Sequence, residues 1–180
     1  DWAVNFCKNA IHEGHEHTFE YRMVAADGRV VWLRDIVSVI RDEGRPTKLV
    51  GAMIDISREK REEERLQAAF ESIPIGNIVI DGKGIIQLAN PAAQQMFGYT
   101  AAEMLGKNVS MLMPQPDRDH HDDYIQTYLK TGVQRILGSS REVQGLRKSG
   151  EIFPVRLALG EMRDAEQRTF VGSVIDLSHV

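Results

Sequence analysis

One stretch of this chain occurs twice. Residues 19–57 and 141–178 each run through a β-rich segment, a tight turn (Asp27-Gly28; Ser149-Gly150), a long alternating segment, a polar turn and a last apolar segment closing on Asp-aliphatic-Ser. Gly51 corresponds to Gly172 and Asp55 to Asp176, both at an offset of 121 residues. Solenoid repeats recur every 20–50 residues or so, and a single recurrence at this distance means two copies of one domain. The same offset sets Asp1 against Asp122, well inside the second copy, so the first copy shows only its C-terminal half. The expected boundaries are 1–57 for that half-domain, 58–73 for a linker helix and 74–180 for a second domain.

The 180 residues, 42% hydrophobic and 27% charged, suffice for small soluble globular units. A net charge of −4 leaves no broad basic surface to release counterions from a nucleic-acid backbone, so nucleic acid is not expected as a partner. No apolar run approaches the roughly 18 residues of a membrane span, and Asp1-Trp2-Ala3-Val4-Asn5 has no signal-peptide character. No membrane association and a cytoplasmic location are therefore expected. Cys7 is the single cysteine, which excludes an internal disulfide and a thiolate zinc cage. His12, His15 and His17 straddle a helix end and a strand start, where nothing fixes a ligand geometry, and no metal is expected there.

Between the repeats, Arg58–Ile73 carries a continuous helical pattern, with Ser57 as N-cap and Pro74 just past its end. Arg58 with Glu62 and Lys60 with Glu64 stand at i,i+4, and Leu66, Ala69/Phe70 and Ile73 recur at heptad-like spacing. Two readings stay open: a solvated connector with a short apolar foot, or a coiled coil that pairs two chains and passes a signal.

The second copy opens with two apolar β-rich runs, 77–81 and 84–88, joined at Gly82-Lys83. Asn90-Pro91 starts a short helix that ends at Gly98, and Thr100 with Glu103 makes a capping box for another. A longer helix, 117–130, is followed by three strands, giving the order β-β-α-α-α-β-β-β. The fold class is α+β: a five-stranded antiparallel sheet with helices on one side.

Asn90-Pro91-Ala92, Phe97-Gly98-Tyr99-Thr100, Glu103-Met104-Leu105-Gly106 and the Asp-Ile-Ser and Asp-Leu-Ser endings resemble PAS domains, over nearly the whole chain. The resemblance implies the PAS fold in two copies, and a sensory or dimerising module of the kind that precedes a histidine kinase or another output domain. It does not name a ligand, because PAS pockets hold haem, flavin, metabolites or nothing.

On the long helix, His121, Tyr124, Ile125, Tyr128 and Leu129 follow i, i+3, i+4, i+7, i+8 and are read as one core-facing stripe, which His120 leaves by about 100°. An inward imidazole is costly unless paired, so His121 is either a core histidine satisfied by a carbonyl or a metal ligand. Phe153, Val155, Leu157 and Leu159 alternate onto one strand face, either plain sheet core or one wall of a slot for a flat apolar ligand. Arg141 stands near the start of the neighbouring strand.

Taken together, Pro116 to Ile125, Tyr128, Thr131-Gly132, Ile136-Leu137-Gly138 and Arg141-Glu142-Val143 resemble the haem-binding PAS domains of oxygen-sensor kinases of the FixL type. Gly138-Ser139-Ser140 and Thr127 depart from that family's usual residues. The resemblance implies haem b in the second domain, with His121 as the iron ligand and Arg141 hydrogen-bonding bound O2 or a propionate. It implies Ile136, Leu157 and Leu159 as the distal wall, Arg135 near a propionate, and Tyr124 and Tyr128 among the cofactor-lining residues. It further implies a kinase output domain after the fragment, itself no enzyme, and a homodimer through the linker helix. The alternative is a pair of cofactor-free interaction modules that dimerise the parent. A weaker one is a metabolite or noncovalent flavin pocket; the second copy has no cysteine for cysteinyl photochemistry.

Overall fold

The computed structural model describes residues 17–131, 140–163 and 168–178. They fall into two compact units, divided near residue 67. In the first, strands β1 (His17–Val24), β2 (Val30–Asp42) and β3 (Arg45–Asp55) form an antiparallel sheet in the order β1-β2-β3. Helix α1 spans Ser57–Ser72. The second unit holds strands β4 (Gly76–Asp81), β5 (Ile86–Ala89), β6 (Ser140–Leu146), β7 (Ile152–Arg163) and β8 (Arg168–Asp176), in sheet order β5-β4-β8-β7-β6. Every pairing in this sheet is antiparallel. Helices α2 (Pro91–Phe97), α3 (Ala101–Met104) and α4 (Asp117–Thr131) and a 3-10 turn (Val109–Leu112) lie between β5 and β6.

The sequence repeat has a counterpart in hydrogen bonding. The β1–β2 hairpin closes with Ala25 N–H to Arg29 O (2.8 Å) and Gly28 N–H to Ala25 O (2.9 Å). The β6–β7 hairpin closes with the equivalent pair, Arg147 N–H to Glu151 O and Gly150 N–H to Arg147 O, both at 2.9 Å. Gly28 (φ +83°) and Gly150 (φ +91°) supply the left-handed residue that each turn requires. Both Asp-aliphatic-Ser endings fold into an Asx turn, Asp55 Oδ1 accepting from Ser57 N–H (2.9 Å) and Asp176 Oδ1 from Ser178 N–H (2.8 Å).

Two expectations are corrected at the first turns of α1. Ser57 is not the cap, because its hydroxyl accepts from Trp32 N–H of β2 at 2.9 Å, and the first helical bond runs from Lys60 N–H to Ile56 O. Lys60 does not reach for Glu64. Its ammonium sits 2.9 Å from Glu20 on β1 and 3.6 Å from Glu63, because Arg34 already holds the Glu20 carboxylate in place at 2.7 Å.

In the second unit the helices cover one face of the sheet. Ala93 and Phe97 of α2, Met104 of α3, Val109 and Leu112 of the 3-10 turn and Ile125 of α4 pack with Ile78, Ile80, Ile86, Phe153, Val155, Phe170 and Val174. Asn90 caps α2 as its sequence predicts, accepting from Ala93 N–H, with Pro91 at the first helical position; Thr100 and Glu103 form the expected capping box.

Candidate functional site

β7 delivers the alternation read from its sequence. Phe153 and Val155 are buried and Leu157 and Leu159 half-buried, while Ile152, Arg156, Ala158 and Met162 are exposed. Directly paired residues in an antiparallel ladder project to the same face, so the register extends this wall across the sheet. Leu159 stands opposite Gly172 and Gly172 opposite Ile78. A Cβ at Gly172 would sit 3.5 Å from Leu157 Cδ1 and 3.6 Å from Leu159 Cδ2, so the glycine leaves a shallow recess between the two leucines. Arg141 pairs with Leu157, which sets the arginine on this same face at the exposed start of β6.

On α4 the inward stripe is His121, Ile125, Tyr128 and Leu129, but not Tyr124, which is 54% exposed. At about 100° per residue, Ile125 and Tyr128 lie within roughly 40° of His121, whereas Tyr124 falls about 60° to the other side of it. Its ring instead lies beside His120, 6.4 Å between centroids.

The His121 side chain retains 18% of its exposure, and its buried Nδ1 has no hydrogen-bond partner. The nearest carboxylate oxygen, Asp122 Oδ1, is 3.9 Å away and already accepts from Asn108 Nδ2 at 2.9 Å. Burial lowers the His121 pKa below the usual 6.5, against the weaker opposing pull of Asp122 and Asp117. The expected carbonyl partner of a core histidine is thus missing at Nδ1, and at neutral pH the ring is a neutral imidazole, the form that ligates metals. One inward imidazole on a helix, an apolar strand wall with a glycine recess and an arginine on the wall's own face are residue types compatible with a haem.

Tyr128 is anchored by a residue absent from the sequence reading. Its hydroxyl donates to Glu161 Oε2 at 2.7 Å, and its ring meets Phe170 edge-on at 5.7 Å. The signal for Glu161 was available, since counting in twos from Phe153 along β7 puts position 161 on the inward face. Arg135 and Ile136 lie outside the described residues, as do His12 and His15. A separate cavity of about 530 Å³ among Gln95, Met96, Gly98, Lys148, Glu151 and Ser178 shares no residue with the His121 set. Among the described residues, no group of three or more His, Cys, Asp or Glu side chains is arranged to hold a metal ion. No helix among them is long and apolar enough to cross a membrane.

Comparison with known families decides the assignment. A family model described as the PAS fold matches residues 64–177, and a second with the same description matches residues 2–53. The chain belongs to the PAS family. This PAS region is 38% identical over 179 residues to the sensor protein FixL of Bradyrhizobium diazoefficiens, covering 95% of the chain and 35% of FixL. It is 32% identical over 110 residues to the oxygen sensor protein DosP of Escherichia coli, covering 61% of the chain and 14% of DosP. The crystal structure of the PAS domain of an HTR-like protein from Haloarcula marismortui matches 67% of the chain and 98% of that domain, at 30% identity and a TM-score of 0.52. The chain spans about a third or less of the full-length relatives it matches. The PAS assignment accounts for the five-stranded antiparallel sheet and for helices on one of its faces.

Proposed function

We propose that this PAS region is the sensory input of an oxygen-responsive signalling protein, with one haem b held in the second domain by the His121 imidazole. The observation that carries the reading is a single half-buried histidine on α4 whose buried Nδ1 has no hydrogen-bond partner, in a domain whose β7 presents an alternating apolar wall. Haem, when bound, supplies a ferrous iron to which O2 adds reversibly. The chain's own residues do the rest. His121, kept neutral by burial, would hold the iron. Leu157 and Leu159 would exclude water from the ligand's side of the pocket, and by the family resemblance Ile136 would join them. Tyr128 lines the pocket, Tyr124 stands at its rim, Arg141 offers its guanidinium from the face of Leu157, and by the family resemblance Arg135 would serve a propionate. A charge-assisted bond of this kind is worth about 1.5–3 kcal/mol, enough to favour a polar diatomic ligand more than tenfold over a weakly polar one. Similarity to DosP, an oxygen sensor protein, supports this reading.

The same proposal covers the rest of the chain. Residues 1–57 are the C-terminal half of a first PAS domain, 58–73 a linker helix and 74–180 the second domain, with a histidine-kinase output following and a cytoplasmic location. Leu66 is 64% exposed on α1, and this favours pairing of two chains along that helix. Any signal must arise from a free-energy difference between two arrangements of the helices that leave the domain. Titrating the protein with haemin while recording Soret absorbance tests the proposal. One equivalent saturates the wild type and His121→Ala does not develop the band; colourless wild-type protein leaves the cofactor-free dimerisation module as the reading.

A further inference from the structure

Glu161 is a carboxylate on the inward face of a strand, with only 9% of its side chain exposed. One oxygen, Oε2, accepts from the Tyr128 hydroxyl at 2.7 Å and lies 3.1 Å from the Arg163 guanidinium. The other, Oε1, is buried without a hydrogen-bond partner, with Arg168 Nε at 3.8 Å. A buried carboxylate is expensive to keep, and here the two arginines beside it offset the cost of its charge. Leucine at this position would continue the wall of β7 without that cost. The bond it makes is to Tyr128, seven residues and about two turns beyond His121 on the same stripe, roughly 10 Å along the helix axis. At the other end, Asp122 is tied to Asn108 at 2.9 Å. Arg118 ties the same end, donating to the carbonyls of Ser110 (3.3 Å) and Met111 (3.1 Å), so His121 lies among the polar tethers of that end and two turns from the one at Tyr128. Between them the helix is held mainly by apolar contacts, which do not fix its rotation as a directional bond does.

We propose that Glu161 is a positioning residue: through the Tyr128 hydroxyl it fixes the rotation and axial place of α4 against β7, and so the place of the His121 imidazole. This rests on the proposed haem site for its consequence, but the tether itself is a property of the chain. Two measurements read it, hydrogen exchange of residues 118–131 in protein without haemin, and haemin affinity by Soret titration. The variants are Tyr128→Phe, which keeps the ring against Phe170 and removes only the hydroxyl, Glu161→Leu, and Glu161→Gln, whose amide oxygen still accepts from Tyr128. Ile80→Val, a small change in the buried core, serves as a control for general loss of stability.

A hydrogen bond to a charged acceptor shifts an equilibrium by about tenfold or more. Tyr128→Phe and Glu161→Leu are expected to speed exchange in α4 by about that factor, with the β4 and β8 amides unchanged, and to weaken haemin binding similarly. Glu161→Gln stays within a few-fold of wild type on both scales. Exchange in α4 within twofold of wild type for Tyr128→Phe overturns the proposal, as does faster exchange spread evenly over the sheet as in Ile80→Val. Should wild-type protein take up no haemin, the proposed cofactor fails, while the exchange comparison still decides whether Glu161 holds the helix.

Discussion

Asn90→Ala is the substitution whose cost the structure specifies most fully. Asn90 is 1% exposed and uses both ends of its amide. Its Oδ1 accepts from Ala93 N–H at 3.0 Å and from Asn77 N–H at 2.8 Å, and its Nδ2 donates to the carbonyls of Phe70, Ile73 and Ile75 at 3.4, 3.2 and 2.9 Å. Loss of the N-cap bond costs about 0.5–2 kcal/mol. Asn77 is itself 7% exposed, so its N–H is left unpaired at a further cost of about 1–3 kcal/mol. The three carbonyls belong to partly exposed residues, with Ile73 and Ile75 each 38% exposed, so water replaces the lost amide and adds little. The sum is roughly 1.5–5 kcal/mol. Urea unfolding followed by far-UV circular dichroism, at constant slope, measures it. Asn90→Ser restores the cap to Ala93 but is too short to serve Asn77 as well, and should recover about half the loss. A loss below about 1 kcal/mol in Asn90→Ala, or no recovery in the serine variant, refutes the reasoning.

Burial works against ionisation of Asp176, but bonds from Ser178 and from Arg147 (2.7 Å) outweigh it and hold the carboxyl at about 2, below the ordinary 3.8. The unfolded chain then binds the proton first, so this stabilisation is complete above about pH 4 and fades as pH falls towards 2; urea midpoints at pH 5 and pH 2.5 should differ less in Asp176→Asn than in wild type. Phe153 is 1% exposed, edge-on to Phe97 at 5.5 Å and under the Arg147 guanidinium at 3.6 Å, so Phe153→Ala should cost about 3–5 kcal/mol in the same assay. For the haem-loaded reduced protein, Arg141→Ala should lower O2 affinity about tenfold or more while CO affinity changes far less, as measured by equilibrium gas titration; equal losses for both ligands would remove Arg141 from the distal role.

The sequence disclosed what is periodic or local. Alternation along β7 placed Phe153, Val155, Leu157 and Leu159 on one face, and the Asn90-Pro91 and Thr100/Glu103 patterns gave two helix starts, because each depends on residues a few positions apart. Tyr124 was misplaced because i+3 and i+4 neighbours fall on opposite sides of the reference residue, and only packing shows which side is buried. The partners of Asn90 at Phe70 and Ile73, of Tyr128 at Glu161, and of Arg147 at Asp176 are 17 to 33 positions away in the chain. No local pattern encodes such bonds. Lys60 shows the same limit, since helical spacing offered it Glu64 and the neighbouring strand supplied Glu20.

The visible spectrum of haemin-treated, dithionite-reduced protein, before and after carbon monoxide, bears on the haem reading without intermediaries. Haem ligated by His121 gives a Soret band that sharpens and shifts on adding CO in the wild type, and His121→Ala loses the ferrous band or shows an altered one. A wild-type spectrum indistinguishable from free haemin, or an unchanged spectrum in His121→Ala, contradicts it.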